Sequence, residues 1–239
     1  MRLRKKPWIE EAMKDVMDEY VFMHDIEKFK GHWQELFPGK KLCLEIGCGK
    51  GRFTIGMAEL NSDKAFIGIE TQHDIAYYPA KAAKDKKLDN VRIICANAEN
   101  LLDWFEPGEI KELYLNFSDP WPKKKHHAHR LFGPLFRAAL WKRLEIGGKI
   151  EFATDHAEYF EEVCAGFAED ARFRRVEPMP RPREVWTEFE TMFREQGLPI
   201  HAAAWEALAA DDAPLAPLAI PPELEPREGV FRRDFGAVV

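Results

Sequence analysis

From Lys41 to about residue 170, short apolar runs alternate with stretches of helical periodicity, and no other feature constrains the fold as strongly. Five apolar runs predict buried strands, at residues 42–46, 65–70, 91–95, 113–117 and 149–153. Helices are predicted directly after the glycine-rich segment 47–51 and at about residues 74–87, 132–144 and 159–170. We expect the helix at 132–144 to end in Gly147-Gly148, because helices commonly end in glycine. The alternation predicts a mostly parallel sheet with helices on both faces, the doubly wound α/β class.

Both ends of the chain differ from this central pattern. Apolar residues at helical spacing predict one helix across the first thirty positions: Ile9, Met13, Met17, Tyr20 and Val21. We therefore divide the chain into an N-terminal helical segment (1–38), an α/β domain (39–201) and an acidic tail rich in alanine and proline (202–239). The tail is expected to be weakly structured, since residues 201–239 carry seven acidic against three basic side chains. A docked, partly helical tail around Trp205 is the competing interpretation.

The composition limits the classes of protein to which the chain can belong. Apolar residues make up 46% of the 239 residues, which is enough for a sizeable core. The formal net charge of −6 excludes a globally basic nucleic-acid binder, although a local basic patch is compatible with it. Four scattered cysteines do not form a disulfide framework, and no apolar run approaches the length of a membrane span. Since the basic start is followed by Pro-Trp-Ile-Glu-Glu and not by the apolar stretch of a signal peptide, we expect a soluble, cytoplasmic protein.

The first predicted strand runs into Glu45-Ile-Gly47-Cys-Gly49-Lys-Gly51, which has a glycine at every second position. Glycines let bare backbone approach a ligand, and the helix that follows offers unpaired N–H groups. In the dinucleotide fingerprint the third glycine comes three residues after the second, but here it comes only two residues after it. A carboxylate at Glu45 would repel a pyrophosphate, whereas it would attract the ammonium and sulfonium charges of S-adenosylmethionine. The loop therefore favours S-adenosylmethionine over a dinucleotide as the cofactor.

Two further polar residues follow the next two predicted strands. Glu70 comes nineteen residues after Gly51, where nucleotide-binding α/β folds place the acidic acceptor for ribose hydroxyls. Asn97 follows the third strand, where a side chain could hold an adenine. In the competing interpretation the glycines only form a turn, Glu45 and Glu70 are solvated strand ends, and Asn97 is a turn residue. Carboxylates at both expected places favour a cofactor site.

Asp119-Pro-Trp121-Pro follows the fourth predicted strand and is the most specific signal in the chain. Its two prolines stiffen the loop, so that it can present a carboxylate and an indole to a flat base. A basic stretch without an acid comes next, and we interpret it as a footprint for RNA phosphates: Lys123, Lys124, Lys125, His126, His127, His129 and Arg130. A solvated loop around a buried tryptophan is the alternative. No metal site is expected, because no cysteine or carboxylate lies nearby in sequence to complete one with the histidines.

Several segments together resemble the bacterial tRNA (guanine-N7)-methyltransferase family. They are Leu44-Glu-Ile-Gly47 with Gly49-Lys-Gly51, Gly68-Ile-Glu70, Asn116-Phe-Ser-Asp-Pro-Trp-Pro-Lys-Lys124 and Thr187-Glu-Phe-Glu190. Arg2-Leu-Arg-Lys-Lys-Pro-Trp8 and Lys30-Gly-His-Trp33 resemble its dimer-forming bacterial branch. The likeness runs from the N-terminus to about Gly197. It implies a class I, Rossmann-like fold, a homodimer, and S-adenosylmethionine-dependent methylation of N7 of a guanine in the tRNA variable loop (position 46).

The resemblance also implies roles for individual residues. Cofactor contacts fall on Glu45, Gly47, Gly49, Gly51, Glu70, Asn97 and Asp119. Contacts with the target nucleotide fall on Lys123, Asp155, Thr187, Glu188, Phe189 and Glu190, and contacts with RNA on Lys125, His126, His127, His129 and Arg130. The family usually has aspartate in place of Asn97 and more arginine in place of these histidines. RNA affinity is then expected to be lower, or to rise below about pH 6.5 as the histidines protonate.

The expected chemistry needs few special residues. Guanine N7 carries a lone pair and no proton, so its attack on a sulfonium methyl requires no general base. Catalysis then rests on positioning, with electrostatic help from a carboxylate as positive charge moves from sulfur to the base. Asp119 is the candidate for this catalytic role, and Asp155 is the candidate acceptor for the guanine N–H groups. From the residues alone, Asp155 could instead cap a helix, and Thr187 would cap a helix beside an exposed basic loop.

Three alternatives remain open from the sequence. A methyltransferase could act on another RNA, a protein or a small molecule, although a small-molecule enzyme has no need of the basic stretch. A non-catalytic RNA-binding relative would explain Asn97 and the histidines. A nicotinamide-dependent oxidoreductase is disfavoured by the glycine spacing and by Glu45.

Overall fold

The computed structural model describes residues 7–120 and 130–209, which form an eight-stranded sheet with helices on both faces. The strands are β1 (Val21–Phe22), β2 (Lys41–Ile46), β3 (Lys64–Glu70), β4 (Val91–Cys95), β5 (Ile110–Asn116), β6 (Leu144–Thr154), β7 (Phe173–Val176) and β8 (His201–Ala207). Their order is β1-β4-β3-β2-β5-β6-β8-β7, and neighbouring strands are parallel from β1 across to β6. β8 lies antiparallel between β6 and β7. The predicted mostly parallel, doubly wound sheet is confirmed.

Eight α-helices accompany the strands in the described part of the chain. They are α1 (Pro7–Met13), α2 (Trp33–Leu36), α3 (Arg52–Leu60), α4 (His73–Asp85), α5 (Leu101–Trp104), α6 (Pro134–Arg143), α7 (Ala157–Ala168) and α8 (Glu188–Glu195). Successive residues of β2 enter different apolar clusters: Leu44 packs with α5, α6 and α7, and Cys43 packs with α1, α3 and α4. Because both faces are covered, the central strands are continuous apolar runs. None of these helices is both long enough and apolar enough to span a membrane.

The first thirty residues are not one helix, so this prediction is wrong. α1 ends at Met13, and the chain then turns through Asp18, whose φ of 64° lies in the left-handed region. Val21 and Phe22 add a short parallel strand beside β4 at the edge of the sheet. The apolar spacing still has a physical origin, since α1 and Val21 bury their side chains in the same cluster.

The pair Gly147-Gly148 lies inside β6, which corrects the expected end of the preceding helix. α6 already ends at Arg143, and Leu144 is extended and begins the strand. The register between β5 and β6 shifts in this region, so β6 carries extra residues there. A Cβ at Gly148 would lie 2.8 Å from the carbonyl oxygen of Glu145. Glycine is therefore required by the local strand geometry and not by a helix cap.

The chain beyond residue 201 continues into the sheet, so the expected start of a weakly structured tail at residue 202 is wrong. β8 pairs with both β6 and β7. Trp205 is 2% exposed, and its ring stacks on Phe167 of α7 with the ring centroids 4.0 Å apart. The docked interpretation is correct for residues 201–207, but the segment is a strand and not a helix. Most of the acidic tail, residues 210–239, lies outside the described residues.

Candidate active site

The carboxyl ends of the parallel strands bring the candidate residues to one edge of the sheet. In strand order from β2 to β6, the residues near these ends are Glu45, Glu70, Asn97, Asp119 and Asp155. From β2 the chain runs to β3 and β4 on one side and later to β5 and β6 on the other. Open α/β sheets bind ligands in the crevice at such a switch point. This crevice is the candidate active site.

The glycine loop at the end of β2 leaves room for a ligand at two of its three glycines. Gly47, Gly49 and Gly51 have φ values of 73°, 54° and 82°, which side chains rarely adopt. A Cβ at Gly47 or Gly49 would meet no atom within 4 Å, so the backbone there faces open space. A Cβ at Gly51 would lie 2.3 Å from the Cβ of Pro79. The loop therefore fits a cofactor at Gly47 and Gly49, whereas Gly51 is needed for packing against α4.

Glu70 braces this loop from the end of β3. Its Oε2 accepts a hydrogen bond from the Gly49 N–H at 3.1 Å, and its Oε1 accepts one from the Gln72 N–H at 2.9 Å. The carboxylate is buried and is not a solvated strand end. Oε1 also accepts from the Thr71 hydroxyl at 3.4 Å, whereas Oε2 retains a lone pair that can accept from a ribose hydroxyl.

Glu45 is a buried carboxylate whose two oxygens are already hydrogen-bonded. Oε2 accepts from the Thr54 hydroxyl of α3, and Oε1 accepts from Asn116 Nδ2 at 2.9 Å. Burial raises the pKa of Glu45 to about 7, against the opposing effect of these two bonds and of the nearby Arg181. The interpretation of Glu45 as a solvated strand end is therefore wrong. The carboxyl group lies inside the protein, directly before the glycine loop.

Arg181 links the Glu45 and Asn116 side chains to Glu151 of β6, and it was not among the predicted site residues. Nη1 donates to Asn116 Oδ1 at 2.6 Å, and Nη2 donates to Glu151 Oε2 at 3.0 Å. Because the guanidinium can only donate, it orients the Asn116 amide so that Nδ2 faces Glu45. The side chain is 12% exposed, so it does not belong to an exposed basic loop. The sequence signal for a buried arginine was Glu151, because this carboxylate lies inside the apolar run of β6 and a buried charge requires a partner.

The segment after β5 carries an exposed carboxylate two residues after a residue with a strained backbone. Asp119 is exposed, and Phe117 two residues earlier has a φ of 51°. The Phe117 ring stacks on Phe189 and Phe193 of α8, with centroids 6.4 and 6.1 Å away. These contacts fix the Asp119 segment against α8. Trp121 and the basic residues Lys123, Lys124, Lys125, His126, His127 and His129 lie outside the described residues.

Asp155 is exposed at the end of β6, as a contact with a substrate requires. It does not cap the following helix, because that position is taken by His156. His156 Nδ1 accepts a hydrogen bond from the Tyr159 N–H at 3.2 Å at the start of α7. The capping alternative for Asp155 is therefore wrong, and its carboxylate remains available for another role.

The start of α8 combines exposed and buried residues of the predicted substrate site. Thr187 caps the helix as expected, since its hydroxyl accepts from the Glu190 N–H at 2.9 Å. Glu188 is exposed, and Phe189 is 57% exposed. Glu190 is buried, and its Oε1 accepts from Arg194 Nη2 at 2.8 Å. Its Oε2 has no hydrogen-bond partner among the described residues and lies 3.9 Å from Arg181 Nη1.

Asn97 has the geometry of a turn residue. Its Oδ1 accepts from the Glu99 N–H at 3.1 Å, and its Nδ2 donates to Glu99 Oε2 at 3.2 Å. It thereby caps a short 3-10 helix at Ala98–Asn100. The side chain is exposed at the sheet edge, so the turn interpretation is confirmed and leaves it accessible to a ligand.

Arg130 departs from the expected RNA-binding surface. It is 7% exposed, and its Nε donates to the Pro120 carbonyl oxygen at 2.8 Å. Its guanidinium is also paired with Glu162 of α7. These contacts hold the guanidinium against the protein, and the expected contact of Arg130 with RNA stays a prediction. In the part of the chain that the structure describes, no group of three acidic, histidine or cysteine side chains is arranged to hold a metal ion.

Solved structures share this architecture. The 16S rRNA methyltransferase KamB superposes with a TM-score of 0.57 at 17% identity, covering 75% of this chain and 94% of that chain. A structure described as an antibiotic-related methyltransferase gives a TM-score of 0.54 at 16% identity, covering 75% and 94%. At these identities the likeness shows the class I methyltransferase fold alone.

Closer relatives are found by sequence. The family model described as "Putative methyltransferase" matches residues 39–203. The tRNA (guanine-N(7)-)-methyltransferase of Listeria innocua is 35% identical over 209 residues, which cover 84% of this chain and 96% of that protein. The tRNA (guanine-N(7)-)-methyltransferase of Bacillus subtilis is 34% identical over 212 residues, which cover 86% and 99%. Since the match extends over nearly the whole of each relative and includes the crevice described above, this chain belongs to the tRNA (guanine-N7)-methyltransferase family.

Proposed function

We propose that the protein transfers a methyl group from S-adenosylmethionine to N7 of a guanine in tRNA, at position 46 of the variable loop. The observation that carries this proposal is the crevice itself. Open backbone at Gly47 and Gly49 and exposed carboxylates at Asp119 and Asp155 follow strands of one sheet at the same edge, in a chain of this family. The names of the relatives supply the acceptor and the atom.

The cofactor half of the crevice is formed by residues from β2, β3 and β4. When bound, S-adenosylmethionine supplies a methyl group on a positively charged sulfur. Because Gly47 and Gly49 have no side chains, the cofactor could approach the backbone of the loop closely. Glu70 would accept hydrogen bonds from the ribose hydroxyls. Asn97 would lie beside the adenine, and the buried charge of Glu45 would attract the amino group. Gly51 acts through the packing of α4 and not through the cofactor.

The nucleotide half is formed by the segments after β5 and β6 and by the start of α8. Asp119 would stabilise the positive charge that develops on the guanine as N7 is methylated, because its carboxylate is exposed at the crevice. Asp155 would accept hydrogen bonds from the guanine N–H groups, and Thr187 and Glu190 would border the base. The exposed ring of Phe189 is suited to contact a flat ring. No residue needs to remove a proton, since N7 carries none.

The basic residues before Arg130 complete the proposal on the RNA side. Lys123 would contact the target nucleotide, and Lys125, His126, His127 and His129 would contact phosphates. Because the histidines gain charge as the pH falls through about 6.5, they would strengthen RNA binding in that range. We also propose a cytoplasmic location, where tRNA is available, and a homodimer, which light scattering on the purified protein would test.

Methyl transfer to two tRNA transcripts tests the proposal directly. The transcripts differ only in whether the base at position 46 is guanine or adenine, and nucleoside analysis follows transfer from labelled S-adenosylmethionine. We expect 7-methylguanosine from the first transcript alone. Transfer to both transcripts, or to neither, would contradict the assigned acceptor.

The variant Asp119→Ala tests the catalytic assignment. Removal of one stabilising charge at a reacting centre typically lowers kcat by about 100- to 1000-fold. Since Asp119 is exposed, the variant should fold, and kcat is measured at saturating S-adenosylmethionine because Asp119 is also expected to contact the cofactor. Asp63→Ala, at an exposed aspartate before β3 on the opposite edge of the sheet, is the matched control. Turnover by Asp119→Ala within a few-fold of the control would remove Asp119 from the catalytic role.

A further inference from the structure

Arg130 connects the segment that carries Asp119 to a helix on the face of the sheet. Its Nε donates to the carbonyl oxygen of Pro120 at 2.8 Å, so it holds the backbone of the residue next to Asp119. Through Nη1 the same guanidinium donates to Glu162, which lies on α7. The Arg130 side chain thereby connects the backbone of Pro120 to α7.

The surroundings of Arg130 are those of a structural anchor. Its Cζ lies 5.0 Å from the centroid of the Tyr159 ring, and Tyr159 is buried against Phe152. Burial raises the pKa of Tyr159, whereas the Ser118 hydroxyl and the Arg130 guanidinium act in the opposite direction. Arg130 and Tyr159 therefore pack against each other beside the Asp119 segment.

We propose that Arg130 is a positioning residue for the methyl transfer, and that it acts through Pro120 on the carboxylate of Asp119. This inference rests on the proposed function, in which Asp119 faces the reacting guanine. A displacement of about 1 Å at a reacting group is enough to lower turnover by about 100-fold. The guanidinium suits this role because its planar fork can hold Pro120 and Glu162 in two fixed directions, which the single ammonium of a lysine cannot do.

The competing role for Arg130 is a contact with an RNA phosphate, since it ends a basic stretch. The two roles predict different results for Glu162→Gln. If Arg130 binds a phosphate, neutralising Glu162 frees the guanidinium and should strengthen RNA binding. If Arg130 acts through Pro120, neutralising Glu162 loosens the hold of Arg130 on Pro120 and should lower turnover. Glu162 does not contact RNA phosphates in either case, since both are negatively charged.

The experiment compares Arg130→Met, Arg130→Lys and Glu162→Gln with Glu161→Gln, an exposed carboxylate beside Glu162 on the same helix. For each variant we measure kcat and the KM for tRNA with the guanine-46 transcript. We also measure the Kd for the same transcript at several salt concentrations in the presence of S-adenosylhomocysteine. Thermal unfolding shows whether each variant is folded.

We expect kcat to fall by about 10- to 100-fold in Arg130→Met, with little rescue by Arg130→Lys. Glu162→Gln should lower kcat in the same direction by about 3- to 10-fold, while Glu161→Gln stays within twofold of the wild type. The dependence of log Kd on log salt should keep its slope in all four variants. A merely destabilising change would lower the thermal midpoint and would not leave KM unchanged while kcat falls.

Two results would overturn the inference. One is a salt slope that becomes shallower by about 0.7 to 0.9 in Arg130→Met with kcat retained at saturating tRNA, because that is the loss of one phosphate contact. The other is a kcat for Glu162→Gln equal to that of Glu161→Gln. Should Arg130→Met fail to fold, Glu162→Gln decides the question, since its side chain is half-exposed. Absence of transfer by the wild type would instead contradict the proposed function and not the anchor.

Discussion

Replacing Glu45 by glutamine tests the electrostatic cost of the cofactor site. Glutamine keeps the size of the side chain, and it can accept from Asn116 Nδ2 and donate to the Thr54 hydroxyl oxygen. Burial raises the pKa of Glu45 from its ordinary value of 4.5 to about 7, so between these pH values the folded protein holds a proton that the unfolded chain has lost. The stability from this proton is fully present below pH 4.5 and is lost as the pH rises through about 7.

The size of the effect follows from this range. At about 1.4 kcal/mol for each pH unit, ionisation of Glu45 lowers the free energy of unfolding by roughly 2–3 kcal/mol between pH 5 and pH 8. Glutamine does not ionise, so Glu45→Gln keeps this part of its free energy of unfolding. Its stability relative to the wild type should therefore increase by about the same amount from pH 5 to pH 8. Carboxylates with lowered pKa values, such as Asp170 and Glu112, affect both proteins alike and cancel in the difference.

Urea unfolding of both proteins at pH 5, 6, 7 and 8, followed by circular dichroism, measures this difference. Glu59→Gln, at a partly exposed carboxylate of α3, is the control, and it is compared with Glu45→Gln at each pH. We expect Glu45→Gln to gain stability at pH 8 and to bind S-adenosylmethionine more weakly. A difference in the free energy of unfolding that stays constant from pH 5 to pH 8 would refute the reasoning.

Three further perturbations test other parts of the protein. Trp205→Ala should lower the free energy of unfolding by about 3–5 kcal/mol, because it leaves a cavity between β8 and α7. Trp8→Ala removes an exposed side chain and should lower it by about 1 kcal/mol or less, and denaturant unfolding compares the two variants. Gly51→Ala should lower the thermal midpoint more than Gly49→Ala, since only the first adds a clash with α4 to the backbone strain, and equal midpoints would contradict this account. Replacing the lysines 123–125 by alanine should make the salt dependence of log Kd for tRNA shallower by about 2 to 3, and an unchanged slope would exclude them as phosphate contacts.

The central sheet could be predicted from the sequence because its strands are buried on both faces. Parallel strands covered by helices are continuous apolar runs, and the runs at 42–46, 65–70 and 91–95 match β2, β3 and β4 closely. The strands β1 and β8 were harder to predict. Val21 and Phe22 lie at helical spacing from α1, and the alanines of β8 give little strand preference until two neighbouring strands bury Trp205.

The positions of the candidate carboxylates followed from topology, but their environments did not. Parallel strands end at one edge, so Glu45, Glu70 and Asp119 could be placed together from their positions after strands. The burial of Glu45 and the inward direction of Arg130 and Arg181 depend on partners far away in sequence, such as Glu162 and Glu151. The sequence does not show whether a charged residue is paired inside the protein or exposed to solvent.

The left-handed backbone at Phe117 has a consequence for redesign of acceptor specificity. Such a conformation costs on the order of 1–3 kcal/mol, and here the rings of Phe189 and Phe193 offset it. A relative that receives segment 116–119 of this chain, but keeps its own α8, would inherit the strain without the two rings that stabilise it here. The two segments therefore form one transplantable module, and changes of acceptor must be engineered in both at once.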